Sequence, residues 1–471
     1  MCGESEPNNV CTRIVANDLC IGCGMCVAMC PTGNLAIKFN QHGEYVVHEQ
    51  GAKCSDTCGL CLAVCPFYDN EENEDTLGEK LFSTVAGMKH CKETGYYQDC
   101  FVGYSAMGEY REQGSSGGMA TWMLERLVQE NLVDYVGCVS ATNDRDRLFK
   151  FSVCTTLEQV RDCSGSCYYP VELSDMIRHI LSHEGRYAII ALPCMCKSIR
   201  LAMKVNIKLR TRIKFLLGLT CGQTKSKFFA EYVCSLGGGN PEQLSKIEFR
   251  VKDPEHRASD YGVRFYCESQ PSLIDEALVF YSEGIGQIWS ARCFTPNACD
   301  FCDDIFSESA DVCFMDAWLP KYSSDWRGHS IVLVRSESIR DLLVSSIADG
   351  TVHLDNISID NVIKSQSSVL RSKRAHITER IRLAKKQGRV VPKKRLSLCS
   401  SKLFVARKGF VHAQRLARAR SREEWIATQG QIAPFRKRMK PYIARVNSAR
   451  VLLKIEYVPK GLIRRLRKIL K

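Results

Sequence analysis

Cys20-Ile21-Gly22-Cys23-Gly24-Met25-Cys26-Val27-Ala28-Met29-Cys30-Pro31 is the stretch from which the rest of the chain can be read. A second run, Cys54-x3-Cys58-x2-Cys61-x3-Cys65-Pro66, repeats its plan with one extra residue in the first gap. Each run is three close cysteines and a fourth followed by proline. Three thiolates on one tight loop can hold three corners of an iron–sulfur cube, and the fourth ligand must come from elsewhere. Gly22, Gly24 and Gly59 lie inside these loops, where the backbone bends tightly and approaches the sulfurs. Two other readings compete. Zinc modules favour paired C-x2-C units separated by a spacer, not a dense run of four. Disulfides need an oxidising compartment, and the polar opening Met1 to Pro7 does not read as a signal peptide.

The first run resembles the C-x2-C-x2-C-x3-C-P signature of bacterial two-cluster ferredoxins. In those proteins the fourth cysteine of each run serves the other cluster. The resemblance therefore implies one [4Fe-4S] cluster on Cys20, Cys23, Cys26 and Cys65, and a second on Cys54, Cys58, Cys61 and Cys30.

The 471 residues leave room for two to four domains. No stretch reaches the length of apolar sequence that a membrane-spanning helix needs. Of the 26 cysteines, eight are in the two runs. The surplus points to further metal ligands and a reducing compartment, hence a cytoplasmic location. The net charge of +13 is unevenly spread. Residues 371–471 hold 31 lysines and arginines against 4 acidic residues, and residues 1–370 hold 34 against 48. A basic end on an acidic body either meets an anionic surface or folds back on that body.

Along the chain, Arg13-Ile14-Val15 reads as a short strand, and 36–39 with 45–47 as a hairpin. Asp69 to Glu79 reads as an acidic linker. Beyond it, strands alternate with helices. Strands are expected at 101–105, 133–139, 187–192 and 215–219, and helices near 119–131, 170–183 and 225–236. That alternation is the pattern of an α/β core. From residue 246 the pattern turns more β-like.

Ser115-Ser116-Gly117-Gly118, before a helix, suits a phosphate cradle: small residues admit the ligand and the helix N-terminus supplies N–H groups. A tight turn explains it as readily. Pro193-Cys194 and Thr220-Cys221 follow the ends of two apolar strands, where ligands of open α/β sheets bind. With Cys299-x2-Cys302 they offer the four thiolates of a third cluster, and Cys196 and Cys293 stand in reserve. Cys138, Cys154, Cys234 and Cys267 read as small buried hydrophobes.

Taken together, Ser115–Gly118, Gly165-Ser166-Cys167-Tyr168, Leu192-Pro193-Cys194, Gly218-Leu219-Thr220-Cys221-Gly222, Cys299-x2-Cys302 and the stretch from Ala310 to Trp318 resemble the coenzyme F420 hydrogenase/dehydrogenase beta-subunit family. The resemblance spans residues 10–370, with a ferredoxin unit fused in front. It implies a two-cluster ferredoxin-like domain at 1–75, an α/β flavin and iron–sulfur domain at 76–370, and a basic tail, helical or disordered, at 371–471. It implies FAD, contacted by Ser115, Ser116, Gly117 and Gly118, and a third cluster on Cys194, Cys221, Cys299 and Cys302. The activity implied is electron exchange between a hydride carrier, coenzyme F420 or similar, and ferredoxin-type one-electron partners.

Three positions depart from the family pattern. Cys167 stands where lysine is usual, Met315 where glycine is usual, and no histidine follows Cys221. They leave the two-electron substrate open. A ferredoxin-dependent reductase of an organic substrate, as in polysaccharide synthesis, and an electron-transfer adaptor subunit are the alternatives. Gly461 to Lys471 is a cationic amphipathic stretch, with Leu462, Ile463, Leu466, Ile469 and Leu470 on one helical face. It reads as a contact for the inner membrane surface or a protein partner, or as a basic face packed on the acidic body. No nucleic-acid recognition motif is present.

Overall fold

The computed structural model describes residues 8–51, 54, 58–270, 273–395 and 405–456. The two cysteine runs each lead into a single helical turn, Met25–Ala28 and Leu60–Ala63. Gly24 enters the first turn at φ +74°, and a Cβ there would stand 2.4 Å from Glu172 Oε2. Only glycine takes that backbone without strain. Leu35–Phe39 and Tyr45–Glu49 form the expected antiparallel hairpin, with Ile37 opposite Val47. The lead-in differs from its reading as a strand: Cys11–Val15 is a π-helical turn. Val10 and Ile14, four apart and so one helical turn apart, both bury in the core around the cysteines.

The acidic stretch after the second run is not a free linker. Asn73 caps the Glu74–Phe82 helix through a reciprocal capping box with Thr76. Glu72 and Glu74 are buried, and lysines of the Pro193–Val205 helix meet them: Lys204 lies 2.7 Å from Glu72, and Lys197 lies 3.3 Å from Glu74. Lys204, then Lys80, holds the Glu72 carboxyl down at about 2. A run that looks like solvated acid is thus a docking strip.

The body is a mixed sheet of eight strands. From one edge to the other it runs Val352–Asn356, Asp99–Ser105, Ser330–Val334, Val312–Asp316, Ile213–Leu219, Tyr187–Ala191, Tyr135–Ala141 and Phe149–Cys154. The fourth to seventh of these, from Val312–Asp316 to Tyr135–Ala141, pair in parallel. The outer pairings are antiparallel. Residues on the parallel strands, such as Ala188, Ile189, Leu216 and Leu217, are fully buried, as expected for strands covered on both faces. The β-rich region after residue 246 is a separate three-stranded antiparallel sheet, Leu244–Val251, Gly262–Gln270 and Leu273–Phe280.

The basic C-terminal segment is helical and packed. The Ile377–Lys386 helix buries Ile377, Ile381 and Ala384 in the core that holds the cysteine runs. The Val405–Ala427 and Ile432–Glu456 helices lie against each other and bury Trp425, Phe435 and Met439 beside Tyr232 and Phe294. The amphipathic stretch from Gly461 to Lys471 lies outside the described residues. Among the described residues no helix is long and apolar enough to cross a membrane.

Trp425 ties this cover to the body, since its indole N–H donates to Glu231 at 2.9 Å. Trp425→Ala is expected to cost about 3–5 kcal/mol, read as a lower denaturant midpoint. Trp425→Phe is expected to lose less.

Candidate functional site

The thiols of the two runs sort into two groups. Burial pushes Cys26 well up, and its next largest influences are Cys23, Cys20 and Cys65. Cys65 is raised by burial and then by Cys23 and Cys20. A cavity lined by Cys20, Cys23, Cys26 and Cys65, with Val10 and Phe67, lies between them. In the other group, burial raises Cys54, with Cys58 and Cys30 among the charges it feels, and Cys61 answers to Cys54 and Cys58. Cys65 thus lines one cavity with the first run, and Cys30 is among the charges that Cys54 of the second run feels. Converging thiols that burial pushes toward neutrality become thiolate ligands only with a cation among them. The donor sets therefore fit iron–sulfur groups.

A third set converges in the body. Cys194 opens the Pro193–Val205 helix after the Tyr187–Ala191 strand, and Cys221 follows the Ile213–Leu219 strand. Cys299 lies in, and Cys302 directly after, the tight Asn297–Phe301 turn. Cys194 is raised by burial and then by Cys302, Cys221 and Cys299. Two polar groups face these sulfurs. Thr224 Oγ1 is 3.3 Å from Cys299 Sγ, and the buried Lys373 Nζ is 3.0 Å from Cys302 Sγ. Burial alone would lower the Lys373 ammonium, but Cys302, Cys221 and Cys299 more than reverse it. The reserves lie elsewhere: Cys196 Sγ donates to Ala191 O and Cys293 Sγ to Ala417 O.

One helix joins the sets. Cys194 and Ser198 are four apart on the Pro193–Val205 helix, so they share a face one turn apart. Ser198 Oγ donates to Val64 O at 2.8 Å and lies 3.9 Å from Cys23 Sγ.

The Ser115–Gly118 segment follows a short helical turn, Tyr110–Gln113, rather than the Asp99–Ser105 strand directly. Its two hydroxyls and the Gly117 N–H are committed to protein. Ser115 Oγ pairs with Ser166 Oγ at 2.7 Å, Ser116 Oγ donates to His329 O at 2.6 Å, and Gly117 N–H donates to Ser330 Oγ at 3.0 Å. A Cβ on Gly117 would stand 2.4 Å from Gly103 O. The glycine there answers to strand packing.

Sequence reading missed the cations beside this loop. Lys252 Nζ donates to Ser116 O at 2.7 Å and also to Arg111 O. Burial, then Arg250 and Arg111, lowers its ammonium to about 7. Arg250 bonds Asp316 through both terminal nitrogens, at 2.7 and 2.8 Å. It has φ +63° at a register shift between Phe249 and Val251, a bulge that re-aims the side chain. Nothing in the local pattern marks Lys252. Lys373 lay beyond the boundary that motif spacing set at 370.

The description "Coenzyme F420 hydrogenase/dehydrogenase, beta subunit N-term" matches residues 100–178, and its C-terminal counterpart matches residues 184–360. This chain belongs to that beta-subunit family. A 4Fe-4S dicluster domain matches residues 19–68, so the family member carries both cysteine runs as an iron–sulfur unit. It is an oxidoreductase with iron–sulfur clusters. A solved structure, "Xenon derivatization of the F420-reducing [NiFe] hydrogenase complex from Methanosarcina barkeri", is similar at 18% identity and a TM-score of 0.49. That match covers 65% of this chain and 99% of the other. No curated protein matches.

Arg250 is buried and Asp316 half-buried, and removing the carboxylate strands the buried guanidinium. Asp316→Asn is expected to destabilise the protein by about 3–5 kcal/mol, and Arg250→Met with Asp316→Leu to recover part of the loss. Thermal or denaturant unfolding of the three variants checks it.

Proposed function

We propose that this family member exchanges electrons between a hydride carrier, coenzyme F420 or a similar deazaflavin, and a one-electron redox protein, with FAD and three [4Fe-4S] clusters as its cofactors. The observation that carries the reading is the single helical turn from Cys194 to Ser198, which brings the third cysteine set next to Cys23. When bound, a flavin takes up a hydride and releases single electrons, and iron–sulfur clusters carry them singly.

The chain's own residues support those groups. Cys20, Cys23, Cys26 and Cys65 hold one cluster. Cys54, Cys58, Cys61 and Cys30 hold a second, and Cys194, Cys221, Cys299 and Cys302 a third. Lys373 donates to Cys302 Sγ in a buried setting, and hydrogen bonds to sulfur raise a cluster's potential. Cys194 opens a helix of 13 residues, whose positive end favours its thiolate.

The flavin reading rests on the cations. Lys252 is half-buried beside Arg111 and Arg250, each of which already has a carboxylate. Among the described residues its hydrogen bonds go to the backbone carbonyls of Arg111 and Ser116. An anion such as the FAD diphosphate would complete this group, with Ser115, Ser116, Gly117 and Gly118 forming the adjoining wall. Residues 371–395 and 405–456 belong to the working unit in this reading, because Lys373 faces the third set.

The test is an anaerobic spectrum of the reconstituted protein before and after reduced coenzyme F420. A flavin band that bleaches on addition is expected, and a preparation without a flavin band overturns the proposal. Cys299→Ser with Cys302→Ser is expected to remove about four iron atoms per chain, measured by metal analysis. Lys252 must be charged to hold the diphosphate, and its ammonium lies at about 7 before binding. FAD binding is therefore expected to weaken as pH rises through 7 and to take up a proton above it. Lys252→Met is expected to bind weakly at every pH, without that slope. Calorimetry in buffers of different ionisation enthalpy reads both.

A further inference from the structure

Three cysteines outside the sets above meet at the edge of the large sheet. Cys138 is on the Tyr135–Ala141 strand, Cys154 ends the Phe149–Cys154 edge strand, and Cys163 caps the Leu157–Asp162 helix. Cys138 Sγ lies 3.5 Å from Cys154 Sγ, and Cys154 Sγ lies 3.8 Å from Cys163 Sγ. All three sulfurs lie within 4.8 Å of one another, and among the described residues no other three metal-ligand groups crowd so closely. Cys138 and Cys154 are buried in an apolar cluster with Leu124 and Val160, and Cys163 is half-buried against it.

We propose that Cys138, Cys154 and Cys163 form a mononuclear zinc site, separate from the iron–sulfur groups. Tetrahedral zinc with Zn–S bonds of about 2.3 Å sets its sulfurs about 3.8 Å apart, close to the 3.5 and 3.8 Å of the two pairs that Cys154 makes. A cubane spreads its four thiolates over four iron atoms and holds them wider. A disulfide does not account for the cross-strand pair. Cys154 faces Val136 and Cys138 faces Ser152, so the two cysteines are diagonal neighbours. Diagonal Cα atoms stand about 7–8 Å apart, beyond the usual disulfide reach of about 4.4–6.8 Å.

Charge selects the ion. Soft thiolates take Zn(II) or Cu(I). Three thiolates leave one net negative charge around zinc and two around copper, and an apolar surrounding penalises the second more. Arg161, two residues before Cys163, is committed to Glu125, so it does not offset that excess. Cys163 is the exposed side of the triad, and a water there completes the tetrahedron.

The site would brace the segment that faces the Ser115 loop. Ser164, next to Cys163, donates to Thr121 Oγ1 at 3.4 Å, and Ser166 pairs with Ser115. The zinc assignment itself does not rest on the flavin reading.

The experiment uses the full-length protein, purified anaerobically from zinc-supplemented culture without chelators. Metal analysis is expected to find one zinc per chain beside the iron, and the zinc-edge absorption spectrum three sulfurs at about 2.3 Å. Cys163→Ala is expected to lose the zinc while iron per chain stays unchanged, and Cys154→Val to behave alike. Where a variant fails to fold, the zinc-edge spectrum of the unmodified protein decides alone. Background zinc, copper in its place, zinc retained by a folded Cys163→Ala variant, or a disulfide among the three cysteines in a peptide map would each overturn the assignment.

Discussion

The ammonium of Lys373, 3.0 Å from Cys302 Sγ and buried, is the contact on which the rest of the structure turns. Sulfur ligands gathered inside a protein carry negative charge into a low dielectric, and that charge must be met by cations close by. The body is acidic by sequence, and the C-terminal segment brings cations to it. Lys394 and Arg395 meet Asp303, Arg374 and Arg395 meet Glu308, and Arg380 and Arg418 meet Asp300. Two of these carboxylates, Asp300 and Asp303, adjoin Cys299 and Cys302 in the chain. The strong asymmetry of charge between the two parts of the chain is therefore the signature of one part folding onto the other.

The Pro193–Val205 helix is the second organising element. Its first turn presents Cys194, its next presents Ser198 to Cys23, and its lysines hold Glu72 and Glu74. Arg200 on the same helix reaches Asp311 at 2.9 Å. One rigid rod thus sets the spacing between the body and the N-terminal iron–sulfur unit. The unit is anchored from other sides too, by Leu173 N–H to Cys23 O and by Asn297 Nδ2 to Asp18 O, at 2.8 and 2.9 Å.

The loop chosen for its serines and glycines illustrates a limit of motif reading. Ser116 and Gly117 are small because strands pass close by, and their polar groups bond to His329, Ser330 and neighbouring backbone. The cationic character of the adjoining site comes from Arg111, Arg250 and Lys252. Two of them lie on or beside the Leu244–Val251 strand, far along the chain from the loop, and a left-handed backbone at Arg250 aims its guanidinium. Such convergence leaves no local pattern to find.

Spacing and pattern by themselves marked the two cysteine runs as one repeated unit, the strands at the parallel heart of the sheet and the strand-end loops that carry Cys194 and Cys221. These follow from short-range rules: thiolates on one tight loop share a centre, continuous apolar runs bury on both faces, and loops at strand ends face one side of a sheet. Tertiary structure alone decided that the acidic stretch near Glu72 is a docking strip and that the residues beyond 370 close over the cysteines. It also brought Cys163 to Cys138 and Cys154, which composition had passed off as ordinary apolar packing. The physical reason is common to all three. A charge or a thiol declares its role through the partner it meets, and those partners are set by long-range packing rather than by neighbours in sequence.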